Sequence, residues 1–291
     1  MAKPTQQIPG VYHRRIGDIV VTTLSDGYLD GALSVVRGIP QEETARLLAE
    51  NFRPGRRTSV NCFAIHAAGR TALLETGCGG SMAASAGKLQ PNLAAAGIDP
   101  KDVDTVILTH MHPDHSNGLS TADGSSVFPN AELVVHQNEI THWHDDGAMS
   151  RAPENQRERY FLQARQQYKP YGNRVKPITT SAEIFPGVTA MPIHGHTPGH
   201  TGYMISSGGE SLFIWGDIIH VPEVQVPHPH VTMEFDTDPR AAEATRRRVF
   251  DMVATDKLLI AGMHVHFPGF ARLVKRGDGY VLLNEPWVQA F

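Results

Sequence analysis

Thr109-His110-Met111-His112-Pro113-Asp114-His115 packs three imidazoles and one carboxylate into six residues. Nitrogen and carboxylate donors at that density bind a divalent cation far more readily than they decorate a surface. The preceding run, Val103 to Leu108, is apolar and reads as a buried strand. The donors therefore open at a sheet edge, where α/β proteins present chemistry. In extended backbone, residues i and i+2 share a face, so His110 and His112 reach one ion while Met111 points elsewhere. Pro113 breaks the run and Asp114 opens a helical turn, which directs Asp114 and His115 towards a second ion.

A two-ion site needs more donors, and each of the three candidates follows an apolar segment. His196 lies in Ile193-His194-Gly195-His196-Thr197-Pro198-Gly199-His200, a tight loop in which three histidines compete for one role. Asp217 ends Ser211-Leu212-Phe213-Ile214-Trp215-Gly216-Asp217, and a carboxylate there is suited to bridge two cations. His264 follows Leu258 to Ala261, which runs into a turn rich in glycine and proline.

The order His-x-His-x-Asp-His, then Gly-His, Gly-Asp and a late His, resembles the metallo-β-lactamase superfamily over most of the chain. Thr58-Ser59-Val60-Asn61, Thr109 to Gly118, Gly195 to Thr201, Trp215-Gly216-Asp217, and Ala261 to His264 with Phe267-Pro268-Gly269 are most similar to the branch of methyl parathion hydrolase and quorum-quenching lactonases. The resemblance implies that His110, His112 and His196 hold one metal, Asp114, His115 and His264 a second, and that Asp217 bridges them. It implies two divalent ions, zinc by default, with manganese, cobalt and iron suited to the same donors. Relatives also imply a homodimer. Glu75 departs from the pattern, because the superfamily usually has aspartate at this place in Asp-Thr-Gly. The simplest expectation is that Glu75 accepts the same hydrogen bonds from outside the ligand set, with His200 and His220 as further supporting candidates.

Two cations sharing a water lower its pKa towards neutrality. The implied activity is hydrolysis by a metal-bridging hydroxide, with Asp114 as the catalytic group that holds the proton for the leaving alkoxide. A lactone such as an N-acyl homoserine lactone, or a related ester, is the leading small-molecule substrate, and an organophosphate triester is the alternative. A glyoxalase II-like thioesterase, a mono-iron persulfide dioxygenase and a non-catalytic metal-binding protein rank below these. Family members that reduce oxygen with two irons usually carry glutamate where His112 stands, and a full second ligand set argues against a single iron.

Apolar content of 41% over 291 residues, with no long linker, supports one domain spanning 1–291. Within it, residues 1–15 read as an N-terminal arm. Residues 138–177 read as an insertion that shapes the pocket, with Trp143 and Phe161 as candidate wall residues. The net charge of −4 gives no basic face for nucleic acid. Arg246-Arg247-Arg248 reads as the solvated face of a helix. His142, His144, His228 and His230 read as surface residues. No segment has transmembrane length and the N-terminus lacks a secretory apolar core, so no membrane partner and a cytoplasmic location are expected, with export of a processed form as the alternative. Cys62 and Cys78 are too few for a disulfide framework and are assigned to packing.

Strands are expected at Ile19–Leu24, Ser59–Ile65, Thr71–Leu74, Val103–Leu108, Ala131–Val135, Val188–Met191, Gly202–Ile205 and Ser211–Trp215. Helices are expected at Gln41–Asn51, Met82–Ala95, Pro153–Tyr168 and Pro239–Ala254. The alternation is α/β, and the resemblance narrows it to a four-layer αββα sandwich with the metals at one sheet edge.

Overall fold

Ala72-Leu73-Leu74 and Val106-Ile107-Leu108 are apolar on successive residues because their strands are covered on both faces. The computed structural model describes residues 3–5 and 7–290. It contains two seven-stranded sheets. The first comprises β1 (Val11–Ile16), β2 (Ile19–Gly31), β3 (Arg56–Ala67), β4 (Arg70–Leu74), β5 (Thr105–Ile107), β6 (Glu132–His136) and β7 (Val175–Ile178), side by side in chain order. The second comprises β8 (Glu183–Phe185), β9 (Val188–Pro192), β10 (Thr201–Ser207), β11 (Glu210–Ile214), β12 (Leu259–Ala261), β13 (Phe270–Arg276) and β14 (Gly279–Asn284), also in chain order. Pairing is parallel from β4 to β7 and between β11 and β12, and antiparallel elsewhere in the two sheets.

Alternate residues divide the core into layers. Ala72, Leu74, Ile107 and Val134 of the first sheet meet Val188, Ala190, Ile205 and Ile214 of the second. Leu73, Val106 and Leu133 point the other way, onto Leu89 and Leu93 of helix α1 (Leu89–Ala95) and onto Trp143. On the far side, Phe213, Trp215 and Ile260 pack against Val249, Phe250 and Val253 of α2 (Pro239–Thr255). Burying each of those three helix side chains stabilises the outer layer by roughly 1.5–3 kcal/mol. This is the expected αββα sandwich.

Several boundaries differ from expectation. Residues 11–15 of the expected N-terminal arm belong to β1, whose Val11 to Ile16 pair with Leu24 to Ile19; Met1, Ala2 and Gln6 lie outside the described residues. The helix expected from Met82 starts only at Leu89. The buried Asp26 carboxylate accepts hydrogen bonds from the backbone N–H groups of Cys78, Gly87 and Leu89, which wraps residues 78–88 around it as a loop. Pro91 then falls in the first turn, where no N–H is needed. The helix expected over Pro153–Tyr168 is interrupted by a wide π-type turn at Arg157–Leu162. Arg246 is not on a solvated face: it is buried, donating from Nε to the Ile218 carbonyl at 2.7 Å and from Nη1 to the carbonyls of Pro229 and Val231. It thereby ties α2 to the loop that carries His220.

Candidate metal centre

The C-terminal ends of β4, β5, β9, β11 and β12 lie along one edge of the sandwich, and the loops leaving them carry every residue of the expected ligand set. Backbone bonds lock these loops together across the two sheets: Thr201 N to Thr109 O at 3.0 Å and Asn61 N to Met263 O at 3.0 Å. The Tyr203 hydroxyl adds a bond to the Leu108 carbonyl at 2.8 Å. Pro113 opens a single helical turn, Pro113–Ser116, which aims Asp114 and His115 towards His264 while the His115 ring stays 4.1 Å from that of His110.

Three imidazole nitrogens converge on one point. His110 Nε2 and His112 Nδ1 are 3.0 Å apart, and His196 Nε2 lies 3.2 and 3.0 Å from them. Nitrogen ligands about 2.0–2.1 Å from a tetrahedral zinc stand about 3.3 Å from one another, close to this spacing. Beside them, Asp114 Oδ2 lies 3.7 Å from His115 Nε2 and 3.4 Å from His264 Nε2. Asp217 joins the groups: its Oδ2 is 3.3 Å from His196, 3.6 Å from His110, 3.2 Å from His115 and 3.3 Å from His264. The donors fall into a set of His110, His112, His196 and Asp217 and a set of Asp114, His115 and His264, with a third overlapping group of Asp217, His220 and His264.

Buried polar atoms without protein partners test whether a cation fits. Both ring nitrogens of His115 and Oδ1 of Asp217 have no hydrogen-bond partner although they are buried, a costly arrangement that a cation relieves. Electrostatics point the same way. Burial opposes charge on His115, yet Asp217, Asp114 and Glu75 hold it protonated well above the usual range. Burial likewise opposes charge on His196, but Asp217 and Asp236 raise it to about 9. Burial and neighbouring imidazoles keep His110 and His112 neutral. Asp217 resists its own burial because four imidazoles, His115 foremost, hold it well below the carboxylate range. Protons thus occupy positions that cations would take, and metal binding would release them.

The supporting residues are defined. Glu75, at φ +71°, accepts from Thr109 N at 2.8 Å through Oε1 and lies 3.3 Å from His115 Nδ1 through Oε2. His200 is neutral, with burial and His196 lowering its pKa to about 3. It accepts from Asp217 N at 2.9 Å and donates from Nδ1 to the Ile193 carbonyl. The φ of +57° at Gly216 and the 2.3 Å that would separate a Cβ there from His200 Nε2 explain a glycine just before Asp217. His220 Nε2 lies 2.9 Å from Asp217 Oδ2, and its ring stacks on His264. Among the competing histidines, His194 packs against His136 instead. His142, His144, His228 and His230 join neither donor set.

Two further supports, Asp236 and Glu139, carry no sequence signal, and a third, Asn61, lies in the Thr58–Asn61 motif of the resemblance. Asp236 accepts from His196 Nδ1 at 2.7 Å. Glu139 accepts from Met111 N and Trp143 Nε1 through Oε2 and from Gly199 N through Oε1, spanning the His110–His115 loop and the His196 loop. Asn61 donates to the carbonyls of Gly262 and Val265, fixing the His264 loop, while His264 Nδ1 donates to the Ser59 carbonyl at 2.7 Å.

A cavity of about 290 Å³ opens over Asp114 and Asp217. The insertion lines it through Asn155, Gln156, Arg159 and Tyr160, with Phe235 opposite. Trp143 and Phe161 do not line it; both are buried, contributing to the core behind His112 and edging an adjoining cleft that shares His112, Tyr160 and Phe235 with the cavity. Their apolar bulk and the Trp143–Glu139 bond make the interior the lower-energy place for them.

The comparisons agree with this arrangement. A crystal structure described as hydrolase AbOPH in the beta lactamase superfamily superposes with a TM-score of 0.91 at 31% identity, covering 98% of this chain and 100% of that one. AidC, a dizinc quorum-quenching lactonase in complex with the product N-hexanoyl-L-homoserine, gives 0.91 at 25% identity over 97% and 99% of the two chains. The uncharacterized protein YobT of Bacillus subtilis is 23% identical over 150 residues, 52% of this chain; the match spans only 58% of the length of that curated relative. The profile of the Metallo-beta-lactamase superfamily matches residues 55–264, from the strand that anchors the His264 loop to His264 itself, so the chain belongs to that superfamily.

Proposed function

We propose that this protein is a dinuclear metallo-hydrolase that opens lactones, N-acyl homoserine lactones being the leading class. The observation that carries the reading is the Asp217 carboxylate, whose Oδ2 lies within 3.2–3.6 Å of imidazoles from both donor sets. His110, His112 and His196 would hold one ion, Asp114, His115 and His264 the other, and Asp217 both. Divalent ions there, zinc by default, supply an activated water and polarise the ester carbonyl. The protein's own groups do the rest. Tyr160 packs at a tilt against His112 with ring centroids 4.9 Å apart and, with Phe235, gives the cavity an apolar wall that seats an acyl chain and excludes water. Asp114 lines the cavity with its side chain 17% exposed, so the carboxylate oxygen not turned towards His115 and His264 can accept a proton from the attacking water. The water oxygen bonds to the acyl carbon, the ring C–O bond breaks, and Asp114 returns the proton to the departing alkoxide. The product is a hydroxy acid. Similarity to AidC supports the lactone class.

The test is proton release by zinc-loaded protein on an N-acyl homoserine lactone, beside an aryl dialkyl phosphotriester, with His112→Ala as control. Lactone turnover that disappears in the variant supports the proposal. Turnover of the phosphotriester alone would replace it with the organophosphate alternative, and absence of both would refute the substrate class.

A further inference from the structure

The charged side chains that line the cavity differ in whether they have partners. Asp30 is held by Arg57 through two bonds of 2.8 Å. Glu234 is taken by Arg37. Asp114 and Asp217 face the histidines. Two cations remain, Arg56 and Arg159, and neither forms an ion pair with a carboxylate among the described residues. Arg56 donates Nε to the Ala32 carbonyl at 3.2 Å and Nη1 to Thr58 Oγ1 at 3.3 Å, which leaves three of its five N–H groups uncommitted. Arg159 stands beside Tyr160 on the π-type turn of the insertion, a backbone form that recurs at functional sites.

The two guanidinium groups line the same cavity. Burial presses the pKa of Arg56 down, Asp114 and Asp30 oppose this, and Arg159 adds to the downward pressure. Asp114 and Asp30 act on Arg56 only through space, so its free N–H groups, and the exposed Arg159 on the same cavity, remain open to donate hydrogen bonds to an anion that enters. Guanidinium is also the cation whose planar fork matches a carboxylate.

We infer that Arg56 and Arg159 recognise an anionic group, a carboxylate in the first instance, placed several bonds from the scissile ester on the substrate. The inference rests on the hydrolase reading of the same site and extends its substrates from neutral lactones to lactones or esters that carry a negatively charged substituent. The carboxylate that ring opening creates forms at the metal donors and is not the group meant here.

Two esters of equal chain length test it: mono(4-nitrophenyl) glutarate, which is anionic, and 4-nitrophenyl pentanoate, which is neutral. With zinc-loaded protein at low salt, kcat/KM favours the glutarate by about tenfold or more, and raising the ionic strength narrows the gap. Arg159→Gln and Arg56→Lys raise KM for the glutarate ester by about tenfold, a much larger effect than on the pentanoate. Equal handling of the two esters by the unmodified protein, or equal losses on both in the variants, overturns the inference. Calorimetric binding of monomethyl glutarate separates this from the hydrolase reading, since carboxylate binding to zinc alone persists in both variants. Weaker binding in the variants with no turnover of either ester supports the anion site and removes the hydrolase reading. Unchanged binding overturns the anion site whatever the turnover.

Discussion

Asp236→Asn isolates a carboxylate that touches a candidate ligand without belonging to the donor sets. Asp236 is buried; its Oδ1 accepts from His196 Nδ1 at 2.7 Å and its Oδ2 accepts from Met233 N at 2.8 Å. Both contacts need an acceptor, and asparagine has one acceptor and one donor. Either the amide N–H₂ faces Met233 N–H and the turn opens, or it faces His196 Nδ1 and moves the imidazole proton to Nε2, the atom aimed at the metal position. Supporting carboxylates of this kind are worth about 10–100-fold in metal affinity, or about 1.4–2.7 kcal/mol. The effect should fall on the ion shared by His110, His112 and His196. Zinc competition with a chromogenic chelator should therefore show one of two bound ions weakened about 10–100-fold, with circular dichroism unchanged. Affinity within about twofold of the unmodified protein at both positions would refute the argument that Asp236 sets the His196 tautomer.

Three further outcomes are expected. Stripping metal with a chelator removes the stabilisation that ions supply, about 4 kcal/mol at a thousandfold excess over Kd, so the melting temperature in calorimetry should fall by about 10 °C and recover on zinc addition. Gly216→Ala forces a Cβ to within 2.3 Å of His200 Nε2 at a φ of +57°, so Asp217 should shift and elemental analysis should find fewer than two zinc ions per chain. Glu223 is buried, which by itself would raise its pKa, but His266 at 2.7 Å and Arg53 at 2.7 Å pull it from 4.5 to about 2. A depressed carboxylate stabilises the fold above its unfolded pKa and loses that contribution as pH falls through its folded one. The stability advantage over Glu223→Gln in urea titrations should therefore be about 2–3 kcal/mol near neutrality and shrink between pH 4.5 and about 2. A gap independent of pH would remove this assignment.

The parts of the centre that were legible in sequence are those whose geometry is local. His110 and His112 share a face because the backbone stays extended after β5, and Pro113 turns Asp114 and His115 because it can only begin a helix there. Glu75 was readable by its place after β4, and the structure shows why the longer side chain is tolerated: the left-handed backbone at φ +71° draws it back, so that it spans Thr109 N and His115 Nδ1. The β13–β14 hairpin was legible too, since Gly277-Asp278 separates two alternating runs, but the expected strands stopped at Trp215. Asp236, Glu139 and Arg246 belong to a different case. Each serves partners in other loops, 40 residues away for Asp236 and His196, 28 for Glu139 and Met111, and 28 for Arg246 and Ile218. No periodicity marks such residues, because what fixes them is the cost of an unpaired polar group in a position that only the assembled sandwich creates. Donors for an ion are announced by type and spacing, whereas the groups that hold donors still are chosen by tertiary burial. The same division explains Trp143 and Phe161: their residue type suggested a pocket wall, but the interior behind His112 offered more burial than the cavity, and Tyr160, with its polar hydroxyl, took the half-buried place on the cavity.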